Sequence, residues 1–252
     1  MPATVWAILF VTACTALCVL AMTLVRRTAT IQHLESHHEV AGFLIGIVGV
    51  VYAVLLAFVV VVVWERYNDA ARDLTQEANQ VGDLWQMAGG FGPELRAEVR
   101  GPLVAYGHAV VDTEFASMRQ EQSSREADLA FGRLWEVYRT VAPRSDTEKA
   151  FFAESLATMN VLSDARRIRL HEARDHMPGV VWAALYGGAA ITIAFTFLFQ
   201  LKSYFLQLVM TSAIVALIAL VLFLVIALNR PFGGVLPLTA DPFRQQLARV
   251  AA

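Results

Sequence analysis

VAGFLIGIVGVVYAVLLAFVVVVVW (Val40–Trp64) runs without a helix breaker into ERYNDAARDLTQEANQVGDLWQM (Glu65–Met87), and this junction decides the fold. The first stretch carries no charge and exceeds the roughly 20 residues a helix needs to cross a hydrocarbon core about 30 Å thick. In the second, apolar residues recur at Ala71, Leu74, Ala78, Val81, Leu84 and Trp85, the spacing of one helical stripe. A membrane-crossing helix is therefore predicted to continue as an amphipathic helix, ending at Gly89-Gly90-Phe91-Gly92-Pro93.

Three more apolar runs accompany it: Ala3–Val25, Pro178–Gln200 and Tyr204–Leu228. None holds Asp, Glu, Lys, Arg or His away from its ends. The expectation is an all-α integral membrane protein, in contact with a lipid bilayer. Two spans lie in 1–64, a helical insertion in 65–177, two more spans in 178–228, and a C-terminal tail in 229–252. The chain is 57% hydrophobic and 17% charged, far from a soluble balance, and the excess sits in the four runs. A net charge of -2 and basic residues in no recognisable nucleic-acid motif exclude a nucleic-acid partner.

The insertion shows helical periodicity throughout and no period-2 alternation, so no sheet is expected. A second helix, about Glu94–Met118, carries Leu95, Val99, Leu103, Tyr106, Val110 and Phe115, with Pro102 a candidate kink. A third, about Arg125–Val141, presents Leu129, Leu134, Trp135 and Tyr138 and stops at Pro143. Ser145-Asp146-Thr147-Glu148 matches a capping box. The helix it opens carries Phe152, Leu156, Met159, Leu162 and Ile168, and is expected to run to Asp175 and meet the third span at Pro178.

Four spans put the insertion and both termini on one side of the membrane. That side carries Arg66, Arg72, Arg166, Arg167, Arg169, Arg174, Arg230, Arg244 and Arg249; the other carries Arg26, Arg27 and Lys202. The bias places the insertion in the cytoplasm, although Arg26-Arg27 pulls the opposite way. Localisation is then a cell membrane, multi-pass. Val11-Thr12-Ala13-Cys14 looks like a lipoprotein cleavage box, but no basic residue precedes it and the apolar run continues far beyond, so a signal-anchor helix is the better reading. Cys14 and Cys18 cannot build a disulfide framework or a four-ligand zinc site.

Candidate chemistry is sparse. His33, Glu35, His37, His38 and Glu39 crowd one short loop, where imidazoles at i and i+4 can share a metal; a solvated polar loop explains them as well, and no metal is expected. No phosphate loop, nucleophile elbow, HExxH or paired-Cys motif occurs, so neither an enzyme nor a cofactor is expected. The spans also lack the mid-membrane acid that coupled transporters keep, with Gly187-Gly188 the one candidate break.

The second span is more informative. Gly42, Gly46, Gly49, Ala53 and Ala57 fall on one helix face, a small-residue stripe that permits close helix packing. The opposite face presents Leu44, Val51, Leu55, Phe58 and Val62. Lipid contact accounts for this ridge; so does a hydrophobic constriction around a symmetry axis, gating by dewetting.

Trp64-Glu65-Arg66-Tyr67-Asn68-Asp69-Ala70, then Gln76-Glu77-Ala78, and the close of the last span at Leu228-Asn229-Arg230-Pro231-Phe232-Gly233-Gly234 together resemble the bacterial bestrophin-like family, named for its similarity to bestrophin anion channels. The resemblance covers the whole layout. It implies a homo-oligomer, a pentamer in bestrophins, conducting an inorganic ion and anions in particular, with the second span lining the pore. Trp64, Tyr67, Glu77, Pro231, Phe232 and Gly233 are the motif residues it singles out. The acidic run that follows Pro-Phe-Gly in bestrophins is absent, and Gly233-Gly234-Val235-Leu236-Pro237 stands there, so no calcium role is carried over. The expected function is a passive bestrophin-like ion channel. The alternative is a non-conducting scaffold or sensor whose insertion binds a protein partner.

Overall fold

The computed structural model describes residues 2–28, 38–198 and 203–251. Its helices are α1 (Ala3–Thr28), α2 (His38–Met87), α3 (Pro93–Ala109), α4 (Phe115–Met118), α5 (Arg125–Thr140), α6 (Asp146–Glu172), α7 (Gly179–Leu198), α8 (Tyr204–Leu228) and α9 (Asp241–Ala251). No strand occurs among the described residues. Among the described residues four helices are long and apolar enough to cross a membrane, with mean hydropathies of 2.5, 3.0, 1.7 and 3.0 in chain order. The chain divides into two compact units, Met1–Glu65 with Met177–Asn229 and Arg66–His176 with Arg230–Ala252, and the first boundary falls inside α2.

In the first unit α8 packs against both α1 and α7, and Phe10 meets Phe223 with ring centroids 6.0 Å apart. The Tyr52 hydroxyl of α2 donates to the Leu185 carbonyl of α7 at 3.0 Å. Gly188 does not break α7: a Cβ there would come within 2.3 Å of the Tyr52 ring, so the glycine makes room for the tyrosine in a continuous helix. At one end of this unit Arg26 donates to Gln207 at 3.0 Å and lies over the Tyr204 ring.

The second unit is built around a core that includes Leu74, Val81, Leu84, Val99, Leu103, Tyr106, Leu134, Met159, Leu162, Phe232 and Phe243. The long α2 forms as expected and closes with a 3₁₀ turn at Ala88–Gly90. Pro102 lies inside α3. Beyond α3 the helical backbone passes through a π-helical turn, Val110–Glu114, before α4. The Ser145 capping box is complete: the Glu148 amide donates to the Ser145 hydroxyl at 3.1 Å, and the Glu148 carboxylate accepts from the Ser145 amide at 3.2 Å. That carboxylate also accepts from the amides of Arg144 and Gly92, and these backbone donors hold it below the usual carboxylate range.

Two expectations need correction. The fourth insertion helix stops at Glu172, and non-helical backbone separates it from α7, so α6 does not merge with the third span. Leu129 and Ile168 are exposed. Ala127 and Ala130 take the inner face of α5, because the small side chains allow its neighbours close, while α6 turns arginines inward at its Ile168 end. The C-terminal tail carries a helix: α9 is amphipathic and buries Phe243 and Leu247 in the second unit, with Leu247 lying over Gly107.

Candidate functional site

Along the membrane part of α2 the structure distinguishes three faces. Tyr52, Leu56, Val59 and Val63 recur at helical spacing and are buried within the chain. The predicted constriction residues lie elsewhere on the cylinder: Val51 is 65% exposed, Phe58 69% and Val62 51%, with Leu55 half-buried. The small-residue stripe is open too. Gly42, Gly46, Ala53 and Ala57 are exposed and Gly49 is half-buried; a Cβ at Gly46 or Gly49 would meet nothing within 4 Å. The stripe therefore packs against no other helix of its own chain at these two glycines. The contact the sequence reading missed is the Tyr52 face, whose signal is chemical: Tyr52 has the one hydroxyl in an otherwise apolar span and must find an acceptor.

The motif residues separate between the two units. Trp64 is 53% exposed, and Tyr67 half-buried. Pro231, Phe232 and Gly233 form a turn in which the Gly234 amide donates to the Arg230 carbonyl at 2.9 Å and the Leu238 amide to the Pro231 carbonyl at 2.7 Å. Phe232 is buried edge-on against Phe115 at 6.1 Å. A Cβ at Gly233 would sit 3.2 Å from the Arg119 carbonyl oxygen, so a small residue is favoured there by close backbone approach. Arg230, just before the turn, pairs with Glu121, which closes the preceding helix at a positive φ of 63°. Downstream, the Asp241 carboxylate is engaged by Thr239 and, at 2.9 Å, by Arg244; those hydrogen bonds hold it below the ordinary aspartate range.

Glu77 has the most elaborate surroundings. It is fully buried on α2 and accepts from the Tyr106 hydroxyl at 2.6 Å. Arg169 of α6, also fully buried, donates from Nε to Glu77 Oε2 at 2.5 Å and from Nη2 to Oε1 at 3.0 Å. The same Nη2 reaches Glu114 Oε2 at 2.5 Å. Arg166 then bonds Glu114 Oε1 at 2.5 Å and Asp128 Oδ1 at 2.7 Å. The π-helical turn carries Glu114 at its end, and such turns re-aim a side chain by adding a residue to the helical path.

Two guanidiniums thus sit among three carboxylates and one phenol. Burial pushes the Tyr106 hydroxyl well above its usual range, and the Glu77 charge adds to this, so it stays a hydrogen-bond donor. Burial alone would draw Arg169 down, yet Glu77 and Glu114 hold it well above its ordinary value. Every carboxylate of the group is engaged by an arginine, an arrangement suited to fixing helices rather than moving protons. Tyr106, Glu114, Asp128, Arg166 and Arg169 went unrecognised in the sequence, and one signal was available. Arg166 and Arg169 stand seven residues after Met159 and Leu162, on the apolar stripe of α6.

That burial also bears on topology, because two of the nine arginines counted for the cytoplasmic bias are occupied internally. Among the described residues no His/Cys/Asp/Glu group is arranged to hold a metal. His33, Glu35, His37 and Lys202 lie outside the described residues, as do the side chains of His38 and Glu39.

A family profile described as the Bestrophin-like domain matches residues 12–243. The fold is similar to crystal structures of a bacterial bestrophin homologue from Klebsiella pneumoniae, each carrying a single substitution. The first has a TM-score of 0.69 at 14% identity, covering 96% of this chain and 99% of that one. A second gives 0.65 at 16% identity with the same coverage. A third gives 0.61 at 14% identity, covering 98% of this chain and 96% of that one. No curated protein matches.

Proposed function

The chain belongs to the bestrophin-like family, and from that premise we propose that it is a passive ion channel rather than an enzyme, a homo-oligomer in which α2 of each copy lines an axial pore. The observation that carries this reading is the exposure of α2. Within one chain a single face of the span is covered, by Tyr52, Leu56, Val59 and Val63, while both the small-residue stripe and the Val51–Leu55–Phe58–Val62 ridge remain open.

Two open faces on opposite sides suit a helix that meets neighbouring copies through its small residues and faces an axis with its ridge. A ring of apolar side chains excludes ions by failing to replace their hydration, so the ridge is the constriction. The absence of buried charge in the described spans supports passive conduction over coupled transport. The pore passes an inorganic ion, with anions favoured by family; five copies is the subunit number the family suggests. The insertion faces the cytoplasm, and the protein resides in the bacterial inner membrane.

Purified protein in proteoliposomes tests this. Wild type should conduct above empty liposomes, and Leu55→Ala with Phe58→Ala should raise the flux while leaving oligomer size unchanged. Flux at the empty-liposome level in both proteins would remove the channel reading and favour a scaffold or sensor.

A further inference from the structure

A cavity of about 460 Å³ opens in the second unit beside α6, within the roughly 300–1,000 Å³ range of small-molecule sites. One wall is a single face of α6. Ser163, Arg167 and His171 follow one another at steps of four residues, so their side chains stack one turn apart, and Arg174, just beyond the helix end at Glu172, completes this side of the lining. Ser123, just before α5, adds a second hydroxyl, and Phe131 and Leu170 form an apolar wall. Arg166 and Asp128 line the cavity as an ion pair already described.

The cations differ in how far they are committed. Arg174 donates from Nε to the Glu121 carbonyl at 3.1 Å, which orients its guanidinium, and among the described residues no carboxylate pairs with it. His171 likewise has no carboxylate partner there. Arg167 pairs with Asp164 at 2.5 Å, but both side chains are largely exposed, and such i,i+3 surface pairs are worth little. Arg166 is nine-tenths buried, and its Nε has no acceptor among the described residues. The cavity therefore presents one guanidinium without a carboxylate partner, Arg174, a weakly committed one, Arg167, and the Ser123 and Ser163 hydroxyls as donors.

We propose that this cavity binds a soluble phosphate monoester. Its three terminal oxygens are taken by the guanidinium forks of Arg174 and Arg167 and by the Ser123 and Ser163 hydroxyls, and its organic group lies on Phe131 and Leu170. Planar forks suit a tetrahedral dianion, and charge-assisted bonds of this kind are the strong ones. A carboxylate, with two oxygens, would leave donors unsatisfied. Nothing in this assignment depends on conduction, so the channel reading and the binding site can fail separately.

The test is titration calorimetry of the full-length protein in detergent with phenyl phosphate, at constant ionic strength. Saturable binding is expected, with inorganic phosphate weaker because it cannot use the apolar wall. Arg174→Ala and, separately, the exposed Arg167→Ala should each weaken phenyl phosphate binding by roughly tenfold or more, the loss of one charge-assisted contact. Arg139→Ala, at an exposed arginine paired with Glu136 on α5, should leave it unchanged. Absence of saturable binding, or equal affinity in wild type and both variants, would overturn the site. Binding to nanodiscs containing phosphatidic acid without any binding of phenyl phosphate would overturn it in favour of a lipid site.

Discussion

Replacing Arg169 with Met should be among the most damaging single changes in the second unit. The two side chains are similar in length, so packing around the stem is largely kept while the guanidinium is lost. Arg169 is fully buried, it serves both Glu77 oxygens and one Glu114 oxygen, and both acids are themselves fully buried. Removing one member of a buried pair costs about 3–5 kcal/mol, because the remaining charge is left without compensation. Glu114 keeps Arg166, and Glu77 keeps the Tyr106 hydroxyl, so the effect should fall inside that range rather than above it. For a unit of this size the change corresponds to a loss of roughly 10 °C in melting temperature. Thermal unfolding of the detergent-purified chain, followed by circular dichroism, reads it. Glu77→Gln keeps an acceptor for Tyr106 and removes the charge that Arg169 neutralised. The double variant should therefore be more stable than the sum of the two single effects implies, by on the order of 1–2 kcal/mol. If Arg169→Met melts within about 2 °C of wild type, or if the two changes add, the network does not hold the helices as described.

Ser145→Ala removes the acceptor for the Glu148 amide and should cost about 1 kcal/mol in the same unfolding assay, with Thr at this position restoring most of it. Glu172 is pushed up to about 7 by burial, with Asp73 and Asp69 adding to the effect, so the folded state holds its proton more tightly than the unfolded chain does. The stability this lends is complete below pH 4.5 and is lost as pH rises through 7. The side chain is only half-buried and solvent screens it, so the loss should be on the order of 1 kcal/mol between pH 5 and pH 8. Glu172→Gln should flatten that slope and leave the variant more stable at pH 8; an unchanged slope would contradict the assignment. A Cβ at Gly46 would meet nothing of its own chain within 4 Å, so the effect of Gly46→Leu should appear in oligomer size by light scattering rather than in a folding defect of the single chain. Wild-type oligomer size would place that face against lipid or lumen instead.

Much of the architecture was legible because membrane spans and amphipathic helices write themselves in local pattern. The α2 junction, the Tyr204–Leu228 span and the Ser145 capping box each rest on charge absence or short-range spacing, and each is found where expected. What escaped depended on partners distant in sequence. The Glu77–Arg169 pair joins residues 92 apart, and in the sequence Arg169 looks like one more cation near a membrane. The helix α9 was hidden because a short amphipathic segment after a Pro-Gly-rich stretch has no meaning until Gly107 supplies the surface that receives Leu247. The break after Glu172 escaped for a related reason: the periodicity of α6 fades without a proline until Pro178, so nothing local marks where helix gives way to loop.

The central claim is that α2 of several copies surrounds a conduit, and a density map of the purified oligomer tests it most directly. The expected map is a ring with α2 of every copy nearest the symmetry axis, Val51, Leu55, Phe58 and Val62 turned toward that axis, and the Gly42–Ala57 stripe against a neighbouring copy. A monomer, or an oligomer in which that ridge faces lipid and no conduit follows the axis, would contradict it.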